Sequence, residues 1–290
     1  MVSFEKSLLI PEIIKAIKEL GFIYKTPIQE KIIPHLLTSK LDLIASAQTG
    51  TGKTAAFGLP IIQMTDISNI KTQTLILCPT RELCLQITND LISFSKFIDK
   101  IKILAVYGGA NIENQIRSLK KGIHIVVGTP GRTKDLLNRK KLNINHIERL
   151  ILDESDEMLT MGFKDDLDRI LDSTPMNRQI LLFSATMPQH ILKISEKYMH
   201  NPIKISIEQF NSTPNNVEHI YYLVMAKNKY EVLKRVTDYN PNIYGIIFCR
   251  TRRETKDIAR KLMTDGYNVD ALHGDLSQAQ RDEVMMKFRG

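Results

Sequence analysis

The sequence predicts an α/β fold, a parallel β-sheet covered by helices, followed by a second and incomplete unit of the same kind. Three observations predict it. Short, nearly continuous apolar runs recur along the chain, as strands buried on both faces require. Segments with helical spacing separate them, so βα units repeat. A polar, turn-rich stretch, EQFNSTPNN, then interrupts the alternation before it resumes. The predicted organisation is a first domain over 1–207, a linker at 208–216 and a second domain over 217–290.

The predicted strands, in order, are LDLIAS (41–46), TLILCP (74–79), KILAVY (102–107), IHIVVG (123–128), RLILD (149–153) and QILLFS (179–184). Between them lie helical patterns such as RELCLQITNDLISFSKF. After the linker come HIYYLV, YGIIFC and YNVDAL, three further strand candidates, too few for a complete domain of the first kind. With 290 residues, 43% of them hydrophobic and 25% charged, the chain has the composition of a soluble globular protein. No apolar run is long enough to span a bilayer, and Glu5, Lys6 and Pro11 spoil the start as a signal peptide, so a cytoplasmic location is expected. Cys78, Cys84 and Cys249 lack metal-ligand spacing and read as reduced core residues. A net charge of +8 permits a polyanionic partner without requiring one.

AQTGTGKT follows the first strand and opens a helix, which makes Ala47, Gln48, Thr49, Gly50, Thr51, Gly52, Lys53 and Thr54 the candidate nucleotide-binding set. The glycines let backbone N–H groups converge on phosphate at a helix N-terminus. Lys53 reaches the β- and γ-phosphates and the Thr54 hydroxyl suits magnesium. A tight turn without nucleotide is the bland alternative, and Ala47 stands where the strict pattern has glycine. LILDESDEML places Asp153, Glu154, Asp156 and Glu157 directly behind an apolar strand. A solvated helix start explains such a cluster taken alone. Beside a phosphate loop, Asp153 is the candidate carboxylate for Mg2+ and Glu154 the candidate general base for water. Asp156 is left over.

The ordered set FEKSLL…GFIYKTPIQ, AQTGTGKT, PTREL, GG, TPGR, DESD, SAT, IIFCRT and HGD…QxxR resembles the DEAD-box ATP-dependent RNA helicases from Phe4 to the last residues. The resemblance implies two RecA-like domains that close on ATP and RNA. It implies that Phe4 stacks on adenine and Gln29 reads its edge; the residues themselves equally suit a hydrophobic staple and a buried structural amide. It assigns Pro79, Thr80, Arg81, Gly108, Gly109, Thr129, Pro130, Gly131 and Arg132 to single-stranded RNA in the first domain. The same residues would also serve as helix starts. Ser184 and Thr186 become the element that couples the nucleotide site to RNA, with hydrogen bonds near Asp156. In the second domain Arg250, Thr251, His273, Gly274, Gln278 and Arg281 match further RNA-facing motifs.

Three positions depart from the family pattern: Lys25 replaces Pro, Cys84 replaces Ala after PTREL, and Ser155 replaces Ala in the acidic motif. No His-Arg dipeptide occurs, and the resemblance places two further second-domain motifs beyond KFRG, so weak hydrolysis by this chain is expected. The leading expectation is an RNA-stimulated ATPase and helicase using ATP and Mg2+. A DNA translocase is the rival enzyme, and a non-hydrolysing RNA clamp the rival of another class.

Overall fold

The first predicted strand forms β1 (Leu43–Ser46), and five more follow where the apolar runs lie: β2 (Thr74–Leu77), β3 (Ile103–Val106), β4 (Ile125–Gly128), β5 (Arg149–Leu152) and β6 (Gln179–Ser184). A seventh, β7 (Ile203–Ser206), was not anticipated. In this computed structural model the described residues are 2–47, 50–206 and 218–290. They fall in two compact units that divide after Phe210. The linker expected at 208–216 lies outside the described residues.

In unit 1 the seven strands form one sheet in the order β3-β4-β2-β5-β6-β1-β7, with every neighbouring pair parallel. β2, β4 and β6 are buried at every position, as their unbroken apolar text requires. Among the described residues of unit 1 nine α-helices accompany them, the first two ahead of β1: α1 (Pro11–Glu19), α2 (Pro27–Thr38), α3 (Lys53–Met64), α4 (Arg81–Phe94), α5 (Ile112–Lys120), α6 (Pro130–Asn138), α7 (Ser155–Thr160), α8 (Lys164–Asp172) and α9 (Gln189–Tyr198). Two apolar clusters hold the layers, one on each sheet face. Phe57 and Phe183 centre the first, with α2, α3 and α4; Leu136, Leu167 and Ile170 belong to the second, with α6 and α8. Asp42 pins the amino ends of the strands: its carboxylate accepts from the Ile180 and His200 N–H groups at 2.6 and 2.7 Å.

Unit 2 contains α10 (Lys229–Tyr239), α11 (Arg252–Thr264) and α12 (Gln278–Arg289). The three runs predicted there as strands form none among residues 218–290, and Tyr221, Leu223, Ile246 and Phe248 lie exposed. This corrects the prediction. A strand draws its hydrogen bonds from neighbours; in unit 1 the earliest strand, β1, finds both of its neighbours in the last two, β6 and β7. An apolar run records aptitude for a sheet, not the presence of a partner. Among the described residues no helix is long and apolar enough to cross a membrane.

Candidate nucleotide site and polynucleotide face

Parallel strands end at the same sheet edge, so the strand order decides which turns meet. The carboxyl ends of β5, β6 and β1 are neighbours, and this brings the acidic turn, the SAT turn and the phosphate loop together. Gly52 precedes α3 with φ at 87°, and a Cβ there would stand 2.5 Å from Gln29 Nε2, so both backbone and space demand glycine. Gln29, 3% exposed, donates from Nε2 to the Gly52 carbonyl at 3.1 Å and accepts the Thr26 N–H on Oε1 at 2.9 Å. Its amide is therefore a strut under the phosphate loop. The Ala47 N–H donates to the Ser184 carbonyl at 3.2 Å, tying the loop to β6. Lys53 Nζ lies 3.5 Å from Asp153 Oδ1, both side chains buried. Thr54 follows it in α3; Gln48 and Thr49 lie outside the described residues.

The acidic turn is under strain. Glu154 adopts φ 51° and ψ 49°, a left-handed conformation that costs a non-glycine residue about 1–2 kcal/mol. Its surroundings hold it there. The Asp153 N–H donates to the Leu77 carbonyl at 2.9 Å, the Glu154 N–H to Asp153 Oδ1 at 3.0 Å, and the Ser155 hydroxyl to the Phe183 carbonyl at 3.0 Å. Burial pushes the Asp153 carboxyl up despite Lys53. Burial, and then the Asp153 charge, raises Glu154 as well. Asp156 behaves oppositely. Burial would raise it, but the Thr186 hydroxyl and N–H, donating to Oδ2 at 2.7 and 2.9 Å, hold it below its ordinary value. Ser184 Oγ donates to the Thr186 carbonyl at 2.5 Å. The leftover carboxylate is thus the link between the acidic turn and SAT.

The other half of the edge, β3-β4-β2, gathers GG, TPGR and PTREL. Thr80 caps α4 by accepting the Leu83 N–H at 3.2 Å, and the Thr129 N–H donates to the Val106 carbonyl at 3.0 Å. Arg81 lies over the Tyr107 ring, 5.0 Å from its centroid. Arg132 donates from Nη1 to Gln115 Oε1 at 2.9 Å and from both Nη atoms to the Ala110 carbonyl at 3.2 Å. Gly108 and Gly109 form the turn between Tyr107 and Ala110, and Pro130 and Gly131 open α6 ahead of Arg132. The Cys84 thiol donates to the Val127 carbonyl at 3.2 Å, so the cysteine in alanine's place fastens the PTREL helix to β4. A side-chain hydrogen bond with Cys84, and then burial, push the Cys78 thiol well above its ordinary value.

Residues 26–194 match the DEAD/DEAH box helicase family model, and 228–290 match the helicase conserved C-terminal domain. The chain belongs to the DEAD/DEAH box helicase family. It is 47% identical over 289 residues to the ATP-dependent RNA helicase CshA of Listeria monocytogenes, covering 100% of this chain and 55% of that one. To the DEAD-box ATP-dependent RNA helicase CshA of Geobacillus kaustophilus it is 44% identical, covering 100% and 62%. The chain therefore spans somewhat over half the length of these curated relatives. Among solved structures, it resembles a DEAD box protein from the hyperthermophile Methanococcus jannaschii (TM-score 0.69, 41% identity, 100% and 77% coverage). It also resembles a Dbp5 variant from S. cerevisiae bound to RNA and ADP BeF3 (TM-score 0.89, 30% identity, 100% and 73% coverage). The RecA-like parallel sheet expected of the family is what unit 1 displays.

One family-based expectation needs correction. Phe4 is 2% exposed, in the first core cluster with its ring stacked on Phe22 at 6.4 Å, so neither face is free for adenine. Nor is Phe4 a hydrophobic staple of α1, whose N-cap is Ile10 and whose preceding residue is Leu9. In unit 2, Thr251 caps α11 by accepting the Glu254 N–H at 3.1 Å, and the Arg250 N–H donates to Glu254 Oε2 at 3.0 Å. Arg252 reaches Asp275 at 2.6 Å and so brings that helix start to the His273–Gly274 turn. Gln278 and Arg281 lie in the first turn of α12. Cys78 and Cys84 are buried as expected, whereas Cys249 is only half-buried and is not a core residue. Motif matching missed Tyr107 and Gln115, because only the folded edge shows that they touch Arg81 and Arg132.

Proposed function

We propose that this chain binds ATP with Mg2+ at the β5-β6-β1 edge and RNA along the β3-β4-β2 edge, as the core of an ATP-dependent RNA helicase acting in the cytoplasm. The observation that carries this reading is the pair of hydrogen bonds from Thr186 to Asp156, which joins the acidic turn to the strand beside the phosphate loop. The printed names of the CshA relatives and the ligands of the Dbp5 structure support it. RNA contact through turns and helix starts is to sugar and phosphate, so little base specificity is proposed.

The residues fit Mg2+ of a nucleotide rather than a resident metal. Among the described residues, no group of three or more His, Cys, Asp or Glu could hold an ion. Magnesium carried on phosphates needs only one or two protein ligands, and Asp153 with Thr54 supplies them. Bound there, the ion would neutralise phosphate charge. Lys53 leaves Asp153 for the phosphates when ATP arrives. Glu154, its carboxyl raised by burial, takes a proton from the attacking water. Thr186 and Ser184 report the state of the acidic turn to the rest of the edge. The second unit adds Arg250, Thr251, His273, Gly274, Gln278 and Arg281 as further RNA contacts.

Lys53→Ala should lose affinity for a fluorescent ATP analogue, while Glu154→Gln keeps it and loses about 10²–10⁴-fold in hydrolysis. Equal loss of binding in both would refute the division of roles. In a chain extended to carry the two further second-domain motifs, phosphate release stimulated by RNA but not DNA separates the helicase reading from a DNA translocase. RNA binding with no hydrolysis by that extended chain at any RNA concentration would favour a clamp.

A further inference from the structure

We infer that Gln115 is a positioning residue for polynucleotide binding, acting through Arg132. Gln115 lies on α5, outside every motif that the sequence brings into view, and is 6% exposed. Its amide is used at both ends: Nε2 donates to the Tyr107 carbonyl at 3.2 Å and Oε1 accepts from Arg132 Nη1 at 2.9 Å. The two bonds join the residue just before the glycine pair to the arginine of TPGR. Arg132 Nη1 and Nη2 also close on the Ala110 carbonyl, just after the glycines, so both flanks of the Gly108–Gly109 turn are held by one small network. Tyr107 in turn lies under Arg81 of PTREL. The glycine turn and TPGR therefore share one buried amide, and PTREL joins them through the Tyr107 ring. A planar guanidinium has five donors in a fixed fork. Holding Nη1 against Gln115 and Ala110, and Nη2 against Ala110, sets the plane of the fork and the direction of its remaining donors. A long, freely rotating arginine would lose side-chain entropy on reaching a phosphate, and a pre-oriented one loses less.

The inference rests on the RNA-binding reading and is tested by RNA affinity, without need of turnover. Single-stranded RNA binding to the full chain is followed by anisotropy across a salt series, beside titration of a fluorescent ATP analogue, for wild type, Gln115→Met, Arg132→Met and the double variant. Gln115→Met should weaken RNA binding about three- to tenfold, roughly the net worth of one ordinary hydrogen bond. ATP-analogue affinity should stay within about twofold. The plot of log affinity against log salt should become shallower by about 0.7, as when one phosphate contact to a single strand is lost. In the Arg132→Met background the Gln115 change should add less than about twofold, because its effect passes through that arginine. Full additivity, equal loss of ATP and RNA affinity, or unchanged RNA affinity would overturn the inference. Absence of RNA binding by the wild type would instead overturn the functional reading. If Gln115→Met does not fold, Gln115→Glu serves. It keeps an oxygen for Arg132, places a negative charge on it and should give weaker binding with the same shallower slope; an unchanged slope would overturn the inference.

Discussion

Glu154 holds a left-handed backbone between two residues that anchor it, and the strain sits at the proposed general base. Strain at such a position persists only where neighbours over-determine it. Replacing Glu154 with glycine removes the steric cost and one of several crowded carboxylates. Glu154→Gly should therefore stabilise unit 1 by about 1 kcal/mol, a rise of about 2–4 °C in Tm, while hydrolysis is lost. A lower Tm than wild type would show that the side chain itself holds the turn. Ser155 supplies one of the anchors, and its hydroxyl is fully buried yet satisfied by the Phe183 carbonyl. The family's alanine lacks that bond, so Ser155→Ala should cost about 1 kcal/mol in denaturant unfolding. Stabilisation on losing the hydroxyl would contradict this account. None of this strain is legible in the letters DESD. The acidic cluster can be read as a site, but its dihedral angles cannot.

Individual elements differed in how far the sequence revealed them. β1, β2, β4, β5 and β6 were legible because strands buried on both faces leave long apolar text, and β3, half-buried at a sheet edge, because ILAV is still wholly apolar; each forms inside its predicted run. β7 was missed for the converse reason. IKIS is a short edge strand whose residues are exposed or half-exposed, so burial left no mark on its composition. In unit 2 Thr251 and Ser277 cap α11 and α12, a role the sequence reading did not give them, whereas the predicted strand runs join no sheet among the described residues. The connection from α11 to the His273–Gly274 turn was likewise invisible, since it depends on a contact across 23 residues, from Arg252 to Asp275. That contact makes a measurable prediction. Lys256 first and Arg252 next hold the Asp275 carboxyl down to about 2 from 3.8. A depressed carboxylate stabilises the folded unit above its unfolded value, and this contribution is lost as pH falls through 3.8 toward about 2. The pair is exposed, so salt should weaken it. Carboxyl-carbon NMR should find Asp275 titrating near the bottom of the range, and Arg252→Ala should move it upward. A titration near 3.8 in the wild type would mean that the pair does not form in solution.

Across the whole of unit 1, the order β3-β4-β2-β5-β6-β1-β7 divides a single sheet edge into the half proposed to hold polynucleotide and the half proposed to hold nucleotide, which meet between β2 and β5. The division follows from topology, since parallel strands all deliver their following turns to one edge and strand order alone sorts them. It predicts that the two ligands can be lost separately. Arg81, after β2, lies over Tyr107, while Lys53, after β1, pairs with Asp153. In the absence of the other ligand, Arg81→Ala should weaken single-stranded RNA binding and flatten its salt dependence by about 0.7 in slope. It should leave ATP-analogue affinity unaltered. Lys53→Ala should do the reverse. With both ligands present the losses should stop being separate, because Asp153 and Leu77 join β5 to β2 through a backbone hydrogen bond and Asp156 joins the acidic turn to β6. By reciprocity of linked equilibria, whatever factor ATP adds to RNA affinity RNA must add to ATP affinity. Four titrations per variant, each ligand with and without the other, close that cycle. Variants that each lower both affinities when either ligand is alone would show that the edge is one site and not two halves.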